Sequence, residues 1–135
     1  MTNNYTKIFN SNPKLLPTIE EYILEIVDSF NPSENVRNNI EMAVAEAAAN
    51  CILHGNKSDE SKKVIVKIDS TPNLLKISFK DEGEGFIRSN VPDPTLPENL
   101  LKGSGRGVHI MNSLVDKLEY KFTNPGTETI LSFKL

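Results

Sequence analysis

Three polar side chains recur every fourth residue in an otherwise apolar stretch: Glu46, Asn50 and His54. In a helix, residues four apart lie one above the other on the same face. A carboxylate and a neutral amide placed this way could act as a general base and as an oxygen ligand for Mg²⁺, whereas we expect His54 only to hydrogen-bond near the helix end. The alternative is a solvated stripe on a surface helix. Five alanines between residues 43 and 49 keep the helix slim, which favours close approach of a ligand.

A second candidate group is the run Asp81-Glu82-Gly83-Glu84-Gly85, which follows an alternating apolar stretch. Glycines at alternate positions let the backbone turn sharply and let a flat or charged ligand come close. The Asp81 carboxylate at the end of a strand could accept a hydrogen bond from an exocyclic amine. The alternative is a tight turn with an exposed acid.

The third candidate group is Gly103-Ser104-Gly105-Arg106-Gly107, immediately before a predicted helix. Backbone amides at a helix N-terminus form an anion site, so phosphate is the expected ligand, and Arg106 could add a bidentate donor. The run lacks the Lys-Ser/Thr of a Walker loop and the spacing and preceding strand of a dinucleotide fingerprint. A flexible hinge is the alternative.

The elements that would position these groups follow from the spacing of apolar residues. Tyr5 to Phe9 alternates as a strand does, and three-four spacing then predicts a helix that begins at Asn12-Pro13 and reaches Phe30. Asn31-Pro32 repeats the start signal, which predicts a second helix ending at Gly55.

Beyond the second helix, apolar residues recur at every second position. Residues 64–68 and 75–79 alternate around a turn-forming cluster and predict an antiparallel hairpin. Phe86 to Lys102 contains three prolines and predicts a long loop, followed by a helix after Gly107 and two final strands. The order β-α-α-β-β-loop-α-β-β predicts an α+β fold in one domain: a two-layer sandwich whose mostly antiparallel sheet is covered on one face by helices.

Composition excludes several classes of function. Lysines and arginines total 15 against 18 acidic residues, and a net charge of −3 gives no field to hold nucleic acid. The single cysteine, Cys51, cannot form an intrachain disulfide, and there is no Cys/His cluster for structural zinc. No stretch has the length and apolarity of a signal or a membrane span. We therefore expect a cytoplasmic protein that contacts neither membrane nor nucleic acid.

The order and spacing of the three candidate groups resemble a known set of motifs. Glu46-x-x-x-Asn50, Asp81-x-Gly83-x-Gly85 and Gly103-x-Gly105-x-Gly107 resemble the N, G1 and G2 boxes of the GHKL ATPase superfamily, shared by gyrase, the heat-shock chaperone, histidine kinases and mismatch-repair proteins. Within it the chain is most similar to the small serine kinases that act as anti-sigma factors, the RsbW/SpoIIAB type. The resemblance covers nearly the whole chain and is most distinctive from Val91 to Tyr120. It implies a histidine-kinase-like ATPase fold with a lid at about residues 86–102.

The resemblance implies a role for each matching residue in binding ATP and Mg²⁺. Glu46 would be the base toward the acceptor hydroxyl, Asn50 the magnesium ligand, and Asp81 the partner of the adenine amine. Gly83 and Gly85 would shape the adenine pocket, with Thr127 near its end. The remaining nucleotide contacts would come from Gly103, Gly105, Arg106, Gly107 and Val108.

The function that the resemblance implies is an ATP-dependent serine/threonine protein kinase and anti-sigma factor. Its substrate would be a STAS-type anti-anti-sigma protein and its alternative partner a sigma factor, and a homodimer is compatible with this reading. Two alternatives remain: a nucleotide-dependent binding module without significant kinase activity, and the ATPase module of a split histidine kinase. The second is disfavoured because the domain uses the entire chain and no phosphoacceptor helix is present.

Overall fold

A computed structural model describes residues 3–83, 111–123 and 126–135 of the chain. Within these ranges an antiparallel five-stranded sheet is covered on one face by helices, which confirms the predicted α+β class. The strands are β1 Asn3–Asn10, β2 Lys63–Thr71, β3 Leu74–Lys80, β4 Lys117–Phe122 and β5 Thr127–Lys134.

The first helix, α1, spans Leu16–Asp28 and follows a short 3₁₀ turn at Pro13–Leu15. The Asn12 side chain accepts a hydrogen bond from the Lys14 amide at 3.0 Å and caps that turn. The predicted cap is therefore confirmed, but it starts a 3₁₀ turn, and the α-helix begins only at Leu16.

The second helix, α2, spans Glu34–Ala49. Its predicted start at Asn31-Pro32 is wrong, because the N-cap is Ser33, whose hydroxyl accepts a hydrogen bond from the Val36 amide at 3.3 Å. Asn31 instead has φ 51°, a left-handed conformation that asparagine tolerates better than most residues. Asn31 therefore turns the chain between the helices.

A π-helical turn, Asn50–Gly55, extends α2. The Asn56 amide donates to the Cys51 carbonyl at 2.9 Å, which is the five-residue spacing of a π-helix. The predicted end at Gly55 is confirmed, but the predicted row of side chains is not regular. Because the wider turn begins at Asn50, His54 no longer lies directly above it.

The strand order in the sheet is β1-β2-β3-β5-β4, and every neighbouring pair is antiparallel. The predicted hairpin is confirmed: β2 and β3 pair from Ile65 opposite Lys80 to Thr71 opposite Leu74. β5 lies between β3 and β4. This order places the start of β5 beside the end of β3.

The core lies between the helices and one face of the sheet. Alternate residues of β2 and β3 point into it, whereas Lys67 and Lys76 on the opposite face are exposed. This alternation is the pattern from which the strands were predicted. The fully buried core side chains include Ile19, Ile23, Val27, Ile40, Val44, Val66, Ile68, Leu75, Ile77 and Phe79.

The predicted loop Phe86–Lys102 and the beginning of the helix predicted after Gly107 lie outside the described residues. Residues 111–114 are helical, and Met111 is buried in the core. In the ranges that the structure describes, no helix combines the length and apolarity needed to cross a membrane.

Candidate nucleotide site

Asp81 follows directly after β3 and pairs with the first residue of β5. Its amide donates to the Thr127 carbonyl at 3.0 Å, and its Oδ1 accepts from the Thr127 amide at 3.1 Å. Oδ1 also accepts from the Gly83 amide at 3.0 Å. The pairing of β3 with β5 thus continues past Lys80 and Glu128. The two amides that donate to Oδ1 hold the Asp81 carboxylate in one orientation.

Three glycines, Gly55, Gly83 and Gly126, lie so close to Asp81 or to one another that none of them has room for a Cβ atom. A Cβ atom on Gly55 would lie 2.3 Å from Asp81 Oδ2, and one on Gly126 would lie 1.9 Å from the Asp81 carbonyl oxygen. A Cβ on Gly83 would lie 1.9 Å from the Gly55 carbonyl oxygen. Gly126 also has φ +97°, which an L side chain rarely adopts. The close packing around Asp81 therefore excludes side chains at these positions.

The Asp81 side chain is buried, with 6% of the residue exposed. Burial raises the pKa of the Asp81 carboxyl, and the Gly83 and Thr127 amides and the positive charge of Lys62 offset only part of this effect. No salt bridge to Asp81 occurs among the residues that the structure describes. A buried carboxylate held by amides is suited to accept a hydrogen bond from a neutral amine.

Thr127 adds a second polar group to the pocket. The residue is 2% exposed, and its hydroxyl Oγ1 is buried with no hydrogen-bond partner in the described part of the chain. Buried polar atoms are nearly always paired, so the Thr127 hydroxyl is available to a polar group that enters beside Asp81. The residues around Asp81 therefore offer one buried carboxylate and one buried hydroxyl to a ligand.

The Asn56 side chain hydrogen-bonds the segment that follows β3 to two other segments of the chain. Its side-chain amide donates to the Ser11 hydroxyl at 2.6 Å and to the Lys63 carbonyl at 3.0 Å, and its Oδ1 accepts from the Glu82 amide at 2.8 Å. Asn56 is fully buried. Sequence reasoning missed this residue, because its partners come from three separated segments and no local pattern indicates them.

Glu46 and Asn50 lie one turn apart on α2, and both side chains are half-buried. Asn50 ends α2 and begins the π-helical turn, and its amide donates to the Glu46 and Ala47 carbonyls. The π-helical turn then leads to Gly55, against which Asp81 lies. One continuous helix thus connects the predicted base and metal ligand to the pocket around Asp81.

Cys51 lies inside this connection and is buried. Burial raises the pKa of the Cys51 thiol, and the negative charge of Asp81 raises it further. The thiol therefore stays protonated and acts as a small apolar side chain. His54 is exposed on the outside of the same turn.

Of the predicted site residues, the structure places Asp81, Gly83 and Thr127 together, with Glu46 and Asn50 on the connected helix. Gly55 and Gly126 also lie against Asp81. The sequence indicated only a helix end at Gly55 and a turn at Gly126. The other predicted residues lie outside the described residues and stay predictions: Gly85, Gly103, Gly105, Arg106, Gly107 and Val108.

The described residues contain no group of three or more His, Cys, Asp or Glu side chains that could hold a metal ion. Mg²⁺ usually takes one or two protein ligands and completes its shell with water and substrate phosphates. A single amide oxygen from Asn50 would therefore fit a magnesium ion that arrives with a nucleotide.

Comparison with known proteins identifies the class. The family model "Histidine kinase-like ATPase domain" matches residues 9–133, so the chain belongs to the histidine kinase-like ATPase family. An anti-sigma F factor of Clostridium perfringens is 32% identical over 114 residues, covering 81% of this chain and 80% of the relative. A serine-protein kinase RsbW of Bacillus licheniformis is 23% identical over 129 residues, covering 91% and 81%. Within the family, the chain is thus similar to proteins named as an anti-sigma factor and as a serine-protein kinase.

Solved structures show the same fold. The crystal structure of the RsbU and RsbW domains of Rv1364c from Mycobacterium tuberculosis aligns with a TM-score of 0.71 at 15% identity, covering 98% of this chain and 32% of that chain. The catalytic domain of histidine kinase ThkA aligns with a TM-score of 0.61 at 15% identity, covering 96% and 97%. The predicted histidine-kinase-like fold is confirmed.

Proposed function

We propose that this protein is an ATP- and Mg²⁺-dependent serine/threonine protein kinase and an anti-sigma factor of the cytoplasm. Its substrate would be a hydroxyl group on a STAS-type anti-anti-sigma protein. Phosphorylation would switch its binding between this antagonist and a sigma factor. The names of its relatives, an anti-sigma F factor and a serine-protein kinase, support the proposal.

The observation that carries the proposal is the buried Asp81 carboxylate with three glycines packed closely around it. The exocyclic amine of adenine is a neutral donor, and the backbone packed closely against Asp81 at Gly55, Gly83 and Gly126 holds a carboxylate that can accept from it. The orphaned Thr127 hydroxyl supplies a further partner for the ring. Guanine presents a carbonyl where adenine has its amine, and this carbonyl would face a carboxylate. The pocket therefore favours ATP over GTP.

Glu46 and Asn50 would carry the chemistry. Bound ATP and Mg²⁺ supply the transferable phosphoryl group and the neutralisation of its charge. Asn50 would hold the metal through its amide oxygen, and Glu46 would orient the acceptor hydroxyl and take its proton. The phosphates would be held by backbone amides of the second glycine-rich segment, with Arg106 as a charged donor. The residues assigned to the nucleotide outside the described part of the chain are Gly85, Gly103, Gly105, Arg106, Gly107 and Val108.

The test is transfer of label from [γ-³²P]ATP to recombinant STAS-domain proteins from the same genome. We expect wild-type protein to label one of them on serine or threonine. Glu46→Gln should keep its affinity for ATP and lose transfer, because it removes the base and no nucleotide contact. Asn50→Ala should weaken both ATP binding and phosphoryl transfer, because it removes the proposed metal ligand. The matched control is Glu41→Gln, which changes an exposed carboxylate five residues before Glu46 on the same helix.

Two outcomes would contradict the proposal. Unchanged transfer by Glu46→Gln would remove its role as base. Nucleotide binding without transfer to any STAS-domain protein that binds the wild-type chain would favour a nucleotide-dependent binding module instead.

A further inference from the structure

Two neighbouring contacts join the end of the π-helical turn to the segment after β3. Gly55 packs against the Asp81 carboxylate, and the next residue of each segment, Asn56 and Glu82, is joined by a hydrogen bond. In this bond the Glu82 amide donates to Asn56 Oδ1 at 2.8 Å. The residue that follows Asp81 is therefore held by the same segment that packs against the Asp81 carboxylate.

The segment from Asp81 to Gly83 forms an Asx turn, in which Asp81 Oδ1 accepts a hydrogen bond from the amide two residues further on. Glu82 is the middle residue of this turn, and Asn56 pairs with its amide. A displacement of Glu82 would move the Gly83 amide, which is one of the two donors that hold Oδ1. The orientation of the carboxylate thus depends on where Glu82 is held.

Asn56 is itself fixed on its other side. Its Nδ2 donates to the Ser11 hydroxyl at 2.6 Å and to the Lys63 carbonyl at 3.0 Å. The Ser11 amide and hydroxyl both donate to the Lys62 carbonyl, at 3.1 Å and 2.9 Å. Asn56 and Ser11 are both fully buried. A buried side-chain amide whose donors and acceptor are all paired has a single orientation, so Asn56 is a rigid support for Glu82.

A second bond holds Glu82 at its side chain. Its Oε1 accepts from the Lys63 amide at 2.5 Å, and the Lys63 carbonyl accepts from Asn56. Residue 82 is therefore held at its backbone by Asn56 and at its carboxylate by Lys63. Both bonds lead to the middle of the turn that carries Asp81.

A role in the fold alone would explain why the buried Asn56 side chain is paired. The position of its acceptor bond indicates a further role, because this bond ends between Asp81 and Gly83, whose own hydrogen bond orients the carboxylate. A binding group must be held to within about 0.5 Å of its productive position, and hydrogen bonds weaken steeply when they are misaligned.

We propose that Asn56 is a positioning residue for the nucleotide site: through the Glu82 amide it holds the Asp81–Gly83 turn in the orientation in which the Asp81 carboxylate selects adenine over guanine. The proposal rests on the ATP-dependent function proposed above. It divides the selectivity between Asp81, which would contact the base, and Asn56, which would act through Glu82.

The test compares the dissociation constants for ATP and for GTP in the presence of Mg²⁺, measured by calorimetric titration well below the thermal midpoint of each variant. Asn56→Ala should lower the preference for ATP over GTP about fivefold, mainly by weakening ATP binding, because the carboxylate loses its alignment and keeps its charge. A purely structural role would lower the thermal midpoint and leave this preference unchanged.

Ser11→Ala is the matched control. It removes a fully buried partner of Asn56 and leaves the hydrogen bond between Asn56 and Glu82. It should lower the thermal midpoint and leave the preference for ATP within about twofold of the wild type. An equal fall of the preference in Ser11→Ala and Asn56→Ala would indicate a general loss of structure and would overturn the positioning role.

If Asn56→Ala shows no cooperative unfolding, Glu82→Ala decides. This variant changes a half-buried side chain, removes the bond from the Lys63 amide and keeps the amide of residue 82. Its preference for ATP over GTP should fall about threefold. An unchanged preference in the deciding variant would overturn the positioning role alone. Equal binding of ATP and GTP by the wild-type protein, or binding of neither, would overturn the proposed adenine site and the positioning role with it.

Discussion

Gly55 lies so close to Asp81 that a Cβ atom on residue 55 would come within 2.3 Å of the carboxylate oxygen Oδ2. The two residues belong to different motifs: Gly55 ends the helix that carries Glu46 and Asn50, and Asp81 follows β3. Their contact fixes the proposed adenine site relative to the predicted base and metal ligand. Phosphoryl transfer depends mostly on such positioning, because the protein contributes little covalent chemistry.

Gly55→Ala should therefore displace the Asp81 carboxylate. We expect the dissociation constant for ATP to rise at least about tenfold, which corresponds to roughly 1.4 kcal/mol. Calorimetric titration with ATP and Mg²⁺ measures it. The matched control is His54→Ala, which changes the exposed neighbour and should leave the affinity unchanged. Equal losses in both variants, or none in Gly55→Ala, would show that this contact does not shape the pocket.

Asp81→Asn should change how stability depends on pH. Because burial raises the pKa of the Asp81 carboxyl in the folded state, the charged form is disfavoured by folding. This carboxyl thus contributes stability that is lost as pH rises through its folded pKa, and a neutral asparagine has no such loss. Thermal unfolding should be measured from pH 4 to pH 7. The thermal midpoint of Asp81→Asn should increase relative to that of the wild type as pH rises. A constant difference, or one that grows toward acid, would contradict the buried ionised carboxylate.

Asn56→Ala should lower stability and loosen the loop that follows β3. The substitution leaves the Glu82 amide, the Lys63 carbonyl and the Ser11 hydroxyl without the partner that joins them. The expected loss is about 2–4 kcal/mol, or a drop of roughly 10 °C in the thermal midpoint. Asn38→Ala on the exposed side of α2 is the control and should change little. A midpoint within about 2 °C of wild type would mean that water replaces Asn56 at small cost.

The Cys51 thiol should resist modification in the native protein. Its raised pKa and its burial both reduce the thiolate available to a reagent such as DTNB at pH 8. We expect the native chain to react far more slowly than the same chain in guanidinium. Equal rates before and after unfolding would mean that the π-helical turn opens readily, which the packing around Asp81 does not allow.

The sequence predicted those parts of the fold that local patterns encode. Alternation at 64–68 and 75–79 predicted the β2–β3 hairpin because the buried face repeats every second residue. The start of α2 was misplaced because Asn31-Pro32 has the composition of a cap, whereas Ser33 supplies the hydrogen bond. The π-helical turn had no signal, since it differs from α-helix in hydrogen bonding and not in composition.

The sequence predicted which residues belong to the candidate site. It did not predict how these residues contact one another in space. Asp81 and Gly83 stood out by type and spacing, and Thr127 entered through the family resemblance. The roles of Gly55 and Gly126 depend on close contact with Asp81 from segments that are distant in the sequence. No pattern within one segment indicates such contacts, because the Gly126 contact arises when β5 pairs with β3 and the Gly55 contact arises where the helix end meets the residue after β3.

The central claim is that the Asp81 pocket binds adenine, and titration of the wild-type protein with ATP and with GTP in the presence of Mg²⁺ tests it most directly. We predict saturable binding of ATP at least about tenfold tighter than that of GTP, because the carboxylate needs a donor where guanine has an acceptor. Asp81→Asn should lose most of this preference. Equal affinities for ATP and GTP, or no saturable binding of ATP, would contradict the account.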